Sequence, residues 1–213
     1  MESSGPLRIR LLGELQLAGG DGRALVLPAS RKTRALLGYL VATGQAHRRE
    51  RLCDLFWDGP DDPRAELRWS LSKIRPLLDW STGVRLVADR ERVSVELGGA
   101  AVDLAVVRSR LGGNVSAAPT GALKEAAALF GGEFLDGLDL PLCYRYQEWC
   151  MAEREAASRL RLSVLAAWWS ASRIIRPMRF PMRIRSPWPI RCLNRATPPS
   201  SGCSRALDAA RKP

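Results

Sequence analysis

Three observations predict an α+β chain in which three helices stand between flanking strands and a purely helical region follows. Residues 62–78 carry Leu67, Leu71, Ile74 and Leu78 on one helical face and Arg68, Ser72 and Arg75 on a second, flanked by Trp69 and Lys73. Apolar alternation of period two lies on both sides of that segment, at 7–17 and 84–97. Beyond residue 100 it gives way to helical spacing.

In chain order, Leu7, Ile9 and Leu11 alternate with Arg8 and Arg10, and Leu15 and Leu17 resume the pattern after Gly13, which predicts one strand bent at a bulge. Gly19, Gly20, Asp21 and Gly22 supply turn chemistry ahead of Leu25-Val26-Leu27, the second strand of a hairpin closed by Pro28. These glycines do not make a phosphate loop, because no Gly-Lys-Ser/Thr follows and no helix opens on them. Ser30 caps a helix through about Thr43, with Leu36, Leu37, Leu40 and Val41 inward and Gly44 ending it. Arg31, Lys32 and Arg34 crowd its first turn, where the helix dipole disfavours cations by about 0.3–1 kcal/mol unless an anion or solvent compensates.

A second helix is expected from His47 to about Trp57, with Leu52, Leu55 and Phe56 apolar and Arg48, Arg49 and Arg51 polar. After an acidic turn, Asp62 accepts bonds from the free N–H groups that open the third helix, and Pro63 at its first position gives up only a donor without a partner. Pro76 removes a backbone bond and crowds the preceding turn, so this helix is expected to kink or stop near Arg75. Val84, Leu86 and Ala88, then Val93, Val95 and Leu97, alternate around Asp89-Arg90-Glu91, a β-hairpin with an arginine at its tip. Residues 7–97 therefore read as a winged helix-turn-helix. In that arrangement the third helix enters the major groove of duplex DNA and the hairpin reaches the adjacent backbone or minor groove. The first turns of the neighbouring helices touch phosphates, which makes Arg31, Lys32 and Arg48 phosphate candidates.

In 101–172, Asp103 is expected to cap a helix holding Leu104, Val107 and Leu111. Thr120 caps another with Leu123, Ala127 and Phe130, ended by Gly131 and Gly132. A long helix from about Tyr144 to Trp169 sets Tyr146, Trp149, Ala157, Leu160 and Val164 on one side. The predicted organisation is a winged-helix DNA-binding domain over 1–99, a helical region over 100–172 and a basic tail over 173–213.

The ordered series Leu11-Leu12-Gly13-x-Leu15, Arg31-Lys32-x-Arg34-Ala35-Leu36-Leu37-x-Tyr39-Leu40, Leu52-x3-Phe56-Trp57 and Leu67-Arg68-x2-Leu71-Ser72-x-Ile74-Arg75 resembles the SARP-type transcriptional regulators. Their N-terminal domain is a winged helix of the OmpR/PhoB type. Val102-Asp103-Leu104, the segment Gly132-Glu133-Phe134-Leu135-Asp136-Gly137-Leu138 and Trp149-x3-Glu153-Arg154-Glu155 resemble the bacterial transcriptional activator domain that follows it, so the resemblance covers about 7–167. It implies that Arg64, Arg68, Ser72, Lys73 and Arg75 lie on the recognition helix and meet bases and phosphates, with Arg90 and Arg92 on the wing. An arginine holding guanine through two hydrogen bonds discriminates by about 1–3 kcal/mol per base pair. Serine and lysine suit phosphates better. In the OmpR-like group the loop before the recognition helix can meet RNA polymerase, here Asp58 to Asp61. The helices of 101–172 are implied to stack as tetratricopeptide-like pairs, which bury their faces only against neighbours.

Composition excludes several other classes. With 46% hydrophobic and 26% charged residues the chain is ordinary for a globular protein. Its net charge of +11 is unevenly spread: residues 1–100 hold 16 basic and 13 acidic groups, 101–172 hold 7 and 8, and 173–213 hold 10 and 1. The total charge therefore says little about DNA binding by the folded part. Cys53, Cys143, Cys150, Cys192 and Cys203 form no CxxC pair and His47 is the one histidine, so no structural zinc and no cofactor are expected. Cys143 and Cys150 read as packed thiols. The N-terminus lacks a basic start followed by an apolar run, and no segment approaches ~20 apolar residues, which predicts a reducing cytoplasm and no membrane.

Catalysis is not expected, because a lone histidine and the lack of a Gly-x-Ser-x-Gly setting leave no nucleophilic triad. Asp61 and Asp62 are explained by a turn and a cap. Past Ala167 the pattern breaks, and 173–213 holds 7 of the 14 prolines. Two readings compete for that tail: a disordered basic extension, or a frameshifted end of a longer regulator, the latter favoured by Trp168, Trp169 and Trp188. The expected function is a sequence-specific double-stranded DNA-binding regulator, an activator that helps recruit polymerase and forms a homodimer on repeated sites. The alternative is a protein-interaction adaptor whose helical region binds a partner without DNA.

Overall fold

The computed structural model describes residues 6–57, 62–79, 83–111 and 114–174, all of which fall in one unit. Asp58 and Asp61, expected to meet polymerase, lie outside the described residues, as does the tail from residue 175 with both of its readings.

Where one bent strand was expected there are three: β1 (Arg8–Arg10), β2 (Gly13–Glu14) and β3 (Gln16–Ala18). β1 and β3 pair antiparallel, Arg8 opposite Ala18 and Arg10 opposite Gln16, so the chain reverses between them. Gly13, at φ 134°, takes a backbone conformation that side chains disfavour. The buried carboxylate of Asp103 holds the corner, accepting from the N–H groups of Leu11 at 2.9 Å and Leu12 at 2.8 Å. Period-two alternation is the same for one strand or two, so the pattern did not reveal the reversal. Leu25-Val26-Leu27 forms no strand. A bridge between Ala18 and Ala24 and a bond from the Leu25 N–H to the Leu17 carbonyl tie it to β3, and Val26 is left exposed.

α1 (Arg31–Thr43) follows its sequence signals: the Ser30 hydroxyl accepts from the Thr33 N–H at 3.3 Å, and Gly44, at φ 59°, donates to the Leu40 carbonyl. Mid-helix Gly38 lets Leu135 lie against α1, since a Cβ there would come within 2.8 Å of the leucine Cδ2. His47 and Arg48 were expected to start a helix but form β4 (His47–Arg48), and α2 (Arg49–Phe56) begins after it. Burial decides this: His47 packs under the Tyr39 ring and meets the Thr43 hydroxyl at 2.8 Å.

α3 (Pro63–Leu78) opens where the Asp62 carboxylate accepts from the N–H groups of Arg64 and Ala65, both at 3.1 Å. It does not stop at Arg75. Pro76 is exposed and near the helix end, where water can satisfy the carbonyl it orphans, while Leu78 is fully buried and draws the last turn inward. β5 (Arg85–Ala88) and β6 (Arg92–Glu96) form the expected hairpin, Leu86 opposite Val95, and β4 adds to β6 to complete a three-stranded wing. Asp89 fixes its turn by accepting from the N–H groups of Glu91 at 2.7 Å and Arg92 at 2.6 Å, and these bonds hold its carboxyl below the usual range.

β7 (Ala101–Val102) joins β1 in parallel, and β8 (Phe134–Asp136) joins β2 in parallel. Between them run α4 (Asp103–Arg110), a 3₁₀ turn (Val115–Ala117) and α5 (Thr120–Leu129), which packs on both α4 and the long α6 (Tyr144–Ile174). Two expected caps are corrected. Asp103 is the first residue of α4 and spends its carboxylate largely on the β1–β2 corner, and Thr120 is already helical, with no side-chain cap bond.

One hydrophobic core extends from Leu7 to Val164 and draws on both expected domains. The rings of Tyr39 and Trp149 lie 4.6 Å apart and those of Phe56 and Tyr146 5.1 Å apart. Cys143 and Cys150 are buried in it, and the Cys143 thiol donates to the Phe56 carbonyl. Arg154 clamps the β8 segment, donating to the carbonyls of Phe134 and Leu135 and to Asp139 at 2.7 Å. The Arg154 hydrogen bond holds the Asp139 carboxyl below its usual range. A depressed carboxyl contributes stability that is present above its unfolded value and lost as pH falls through its folded one. The Asp139 side chain is 46% exposed, so solvent screening leaves under about 1 kcal/mol. Asp139→Asn is therefore expected to melt slightly below the wild type at neutral pH and level with it in acid, as read by calorimetry.

Candidate nucleic-acid interface

α3 divides as its sequence predicts. Leu67, Leu71, Ile74 and Leu78 are buried, whereas Arg64, Arg68, Trp69, Ser72, Lys73 and Arg75 are exposed. The leucine pattern missed one buried member: the Ser70 hydroxyl meets that of Thr33 at 3.0 Å and ties α3 to α1.

The fold brings Arg64 and Arg68 together with Arg48 and Arg49, where β4 passes into α2, and with Arg90 on the wing turn, around an open cleft of about 990 Å³. Arg49 was not among the predicted contacts. Its Nε donates to the Asp89 carbonyl at 2.7 Å and its N–H to the Glu91 carbonyl at 2.8 Å, fastening the wing turn to the start of α2. Nothing local distinguishes it from Arg51; only the β4–β6 pairing does.

Four acids also line the cleft: Glu50, Asp62, Asp89 and Glu91. Asp62 and Asp89 are occupied by backbone N–H groups. Glu50 pairs with Arg64 at 3.3 Å with both side chains 74% exposed, an ion pair weak enough for a phosphate to displace. Arg48, Arg68 and Arg90 have no ion-pair partner among the described residues.

The other predicted contacts lie outside the cleft. Arg31 is exposed and Lys32 partly buried at the start of α1, and Arg92 is exposed on β6. Arg75 pairs with Asp79 at 3.3 Å. Ser72 donates its hydroxyl hydrogen to the Trp69 carbonyl at 2.6 Å, and Lys73 Nζ lies 5.5 Å from the Trp69 ring centre. The cleft thus offers several guanidinium forks, the geometry that suits phosphate oxygens and guanine edges, on helices and a braced turn. No helix of the described residues is long and apolar enough to cross a membrane.

A solved structure, Mycobacterium tuberculosis EmbR in complex with a low-affinity phosphopeptide, aligns with a TM-score of 0.58 at 22% identity. The chain shares that fold. The match covers 78% of this chain and 46% of the EmbR chain, so the chain spans less than half of that protein's length. No family profile matches the sequence, and no curated protein does.

Proposed function

We propose that the chain is a sequence-specific double-stranded DNA-binding transcriptional regulator of the SARP type, an activator that helps recruit RNA polymerase and forms a homodimer on repeated sites. The observation that carries this reading is the cleft in which arginines from α3, the start of α2 and the wing turn converge while the leucine face of α3 stays in the core. The likeness to EmbR, a SARP-family regulator, supports it at the level of fold. In this reading 1–99 is a winged-helix domain of the OmpR/PhoB type and 100–172 a tetratricopeptide-like helical region. Arg64, Arg68 and Arg75 meet bases. Arg31, Lys32, Arg48, Ser72, Lys73, Arg90 and Arg92 hold the phosphate backbone, which fixes register without carrying sequence information.

A mobility-shift assay of the full chain on its own upstream region, at about 50 and about 200 mM salt, tests the proposal. A retarded complex that weakens steeply with salt is the expected result. Absence of any shift at the lower salt rejects DNA binding and leaves the adaptor. Arg31→Ala or Arg90→Ala is expected to lower affinity for all duplexes alike and to reduce the salt slope by about one.

A further inference from the structure

Projected at about 100° per residue, the buried Leu67, Ser70, Leu71, Ile74 and Leu78 occupy one arc of α3. The opposite side of the helix runs through Ala65, Trp69, Ser72 and Pro76. Arg64, Arg68 and Arg75 border this strip on one flank and Lys73 on the other. A helix enters the major groove by the side away from its own core, so this strip, and not the arginine flank, reaches deepest.

The strip is poor in donors. Trp69 is 48% exposed, the one large hydrophobic side chain of α3 among those left open to solvent, and the Lys73 ammonium lies over its ring. Ser72 has turned its hydroxyl hydrogen back to the Trp69 carbonyl, and Pro76 has neither an N–H nor a polar side chain. Polar groups dominate the major-groove edges of guanine, adenine and cytosine, whereas thymine adds a methyl group at C5. We infer that Trp69 reads thymine by packing on this 5-methyl group, so that specificity comes from an apolar contact at the centre of the helix as well as from the arginines at its border. The inference rests on the DNA-binding reading above and adds to it a base and a chemical group.

The test begins with selection of duplexes from a random library by the wild-type chain, followed by replacement of each thymine of the selected site with deoxyuridine. That replacement removes one methyl group and leaves base pairing intact. At one or more positions the wild type is expected to bind about fourfold more weakly per methyl lost, the worth of one buried methyl-sized group. Trp69→Ala, whose substitution touches an exposed side chain, is expected to bind thymine and deoxyuridine duplexes equally and to keep the wild-type salt slope. Indifference of the wild type to deoxyuridine at every position overturns the inference, as does a Trp69→Ala chain that keeps the same penalties. A Trp69→Ala chain that binds every duplex like the wild type but no longer activates transcription also overturns it and assigns the strip to a protein partner. Failure of the wild type to enrich any sequence is a separate outcome, which rejects the DNA-binding reading itself.

Discussion

Alanine at both Arg68 and Arg75 is expected to weaken operator binding by roughly 2–6 kcal/mol and to flatten sequence preference, since each bidentate contact to a base pair is worth about 1–3 kcal/mol. The fold should survive the double substitution. Arg68 is exposed and has no ion-pair partner among the described residues, and the Asp79 that loses Arg75 keeps a bond from the Leu86 N–H at 2.9 Å. Competition between operator and random duplex separates the two components: specific affinity falls steeply, whereas affinity for random duplex falls only by the share of two charges. Full affinity and selectivity in the double mutant would take both arginines off the recognition surface and count decisively against the regulator reading.

Asp103→Ala is expected to destabilise the protein by about 3 kcal/mol or more, because it removes the acceptor of the N–H groups of Leu11, Leu12 and Leu104, at about 1–3 kcal/mol each. For a folded body of this size that corresponds to a fall in melting temperature of roughly 6–12 °C. Burial pushes the Asp103 carboxyl above the ordinary carboxylate value, against the pull of the N–H groups of Leu12, Leu11 and Leu104. Asp103→Asn keeps one acceptor oxygen where two are used and is expected to fall between the wild type and the alanine variant. Unchanged melting of the alanine variant would show that the β1–β2 corner is held by something other than this carboxylate.

The features legible in the sequence are those decided within a few residues. The caps at Ser30, Gly44 and Asp62, the two faces of α3 and the hairpin tipped by Arg90 all depend on neighbours at most four positions away or on strict alternation. What escaped depends on distant partners. The reversal at Gly13 is fixed by a carboxylate 92 residues beyond Leu11, and β4 forms because β6 arrives beside it. Pro76 follows the same logic, since burial of Leu78 outweighs a local helix-breaking signal. Of the site, the arginines of α3 could be recognised from their face, but the meeting of Arg48, Arg49, Arg64, Arg68 and Arg90 at one cleft follows from pairing that no local pattern encodes.

The parallel pairing of β1 with β7 and of β2 with β8 sets an order of events during synthesis. The first strands to leave the ribosome wait about 90 residues for one neighbour and about 120 for the other, a long exposure by the standard of local contacts. A fragment cut after residue 99 keeps every arginine of the cleft yet forfeits both late-arriving neighbours, so trimming the gene to the part that carries the cleft leaves β1 and β2 each without a parallel partner.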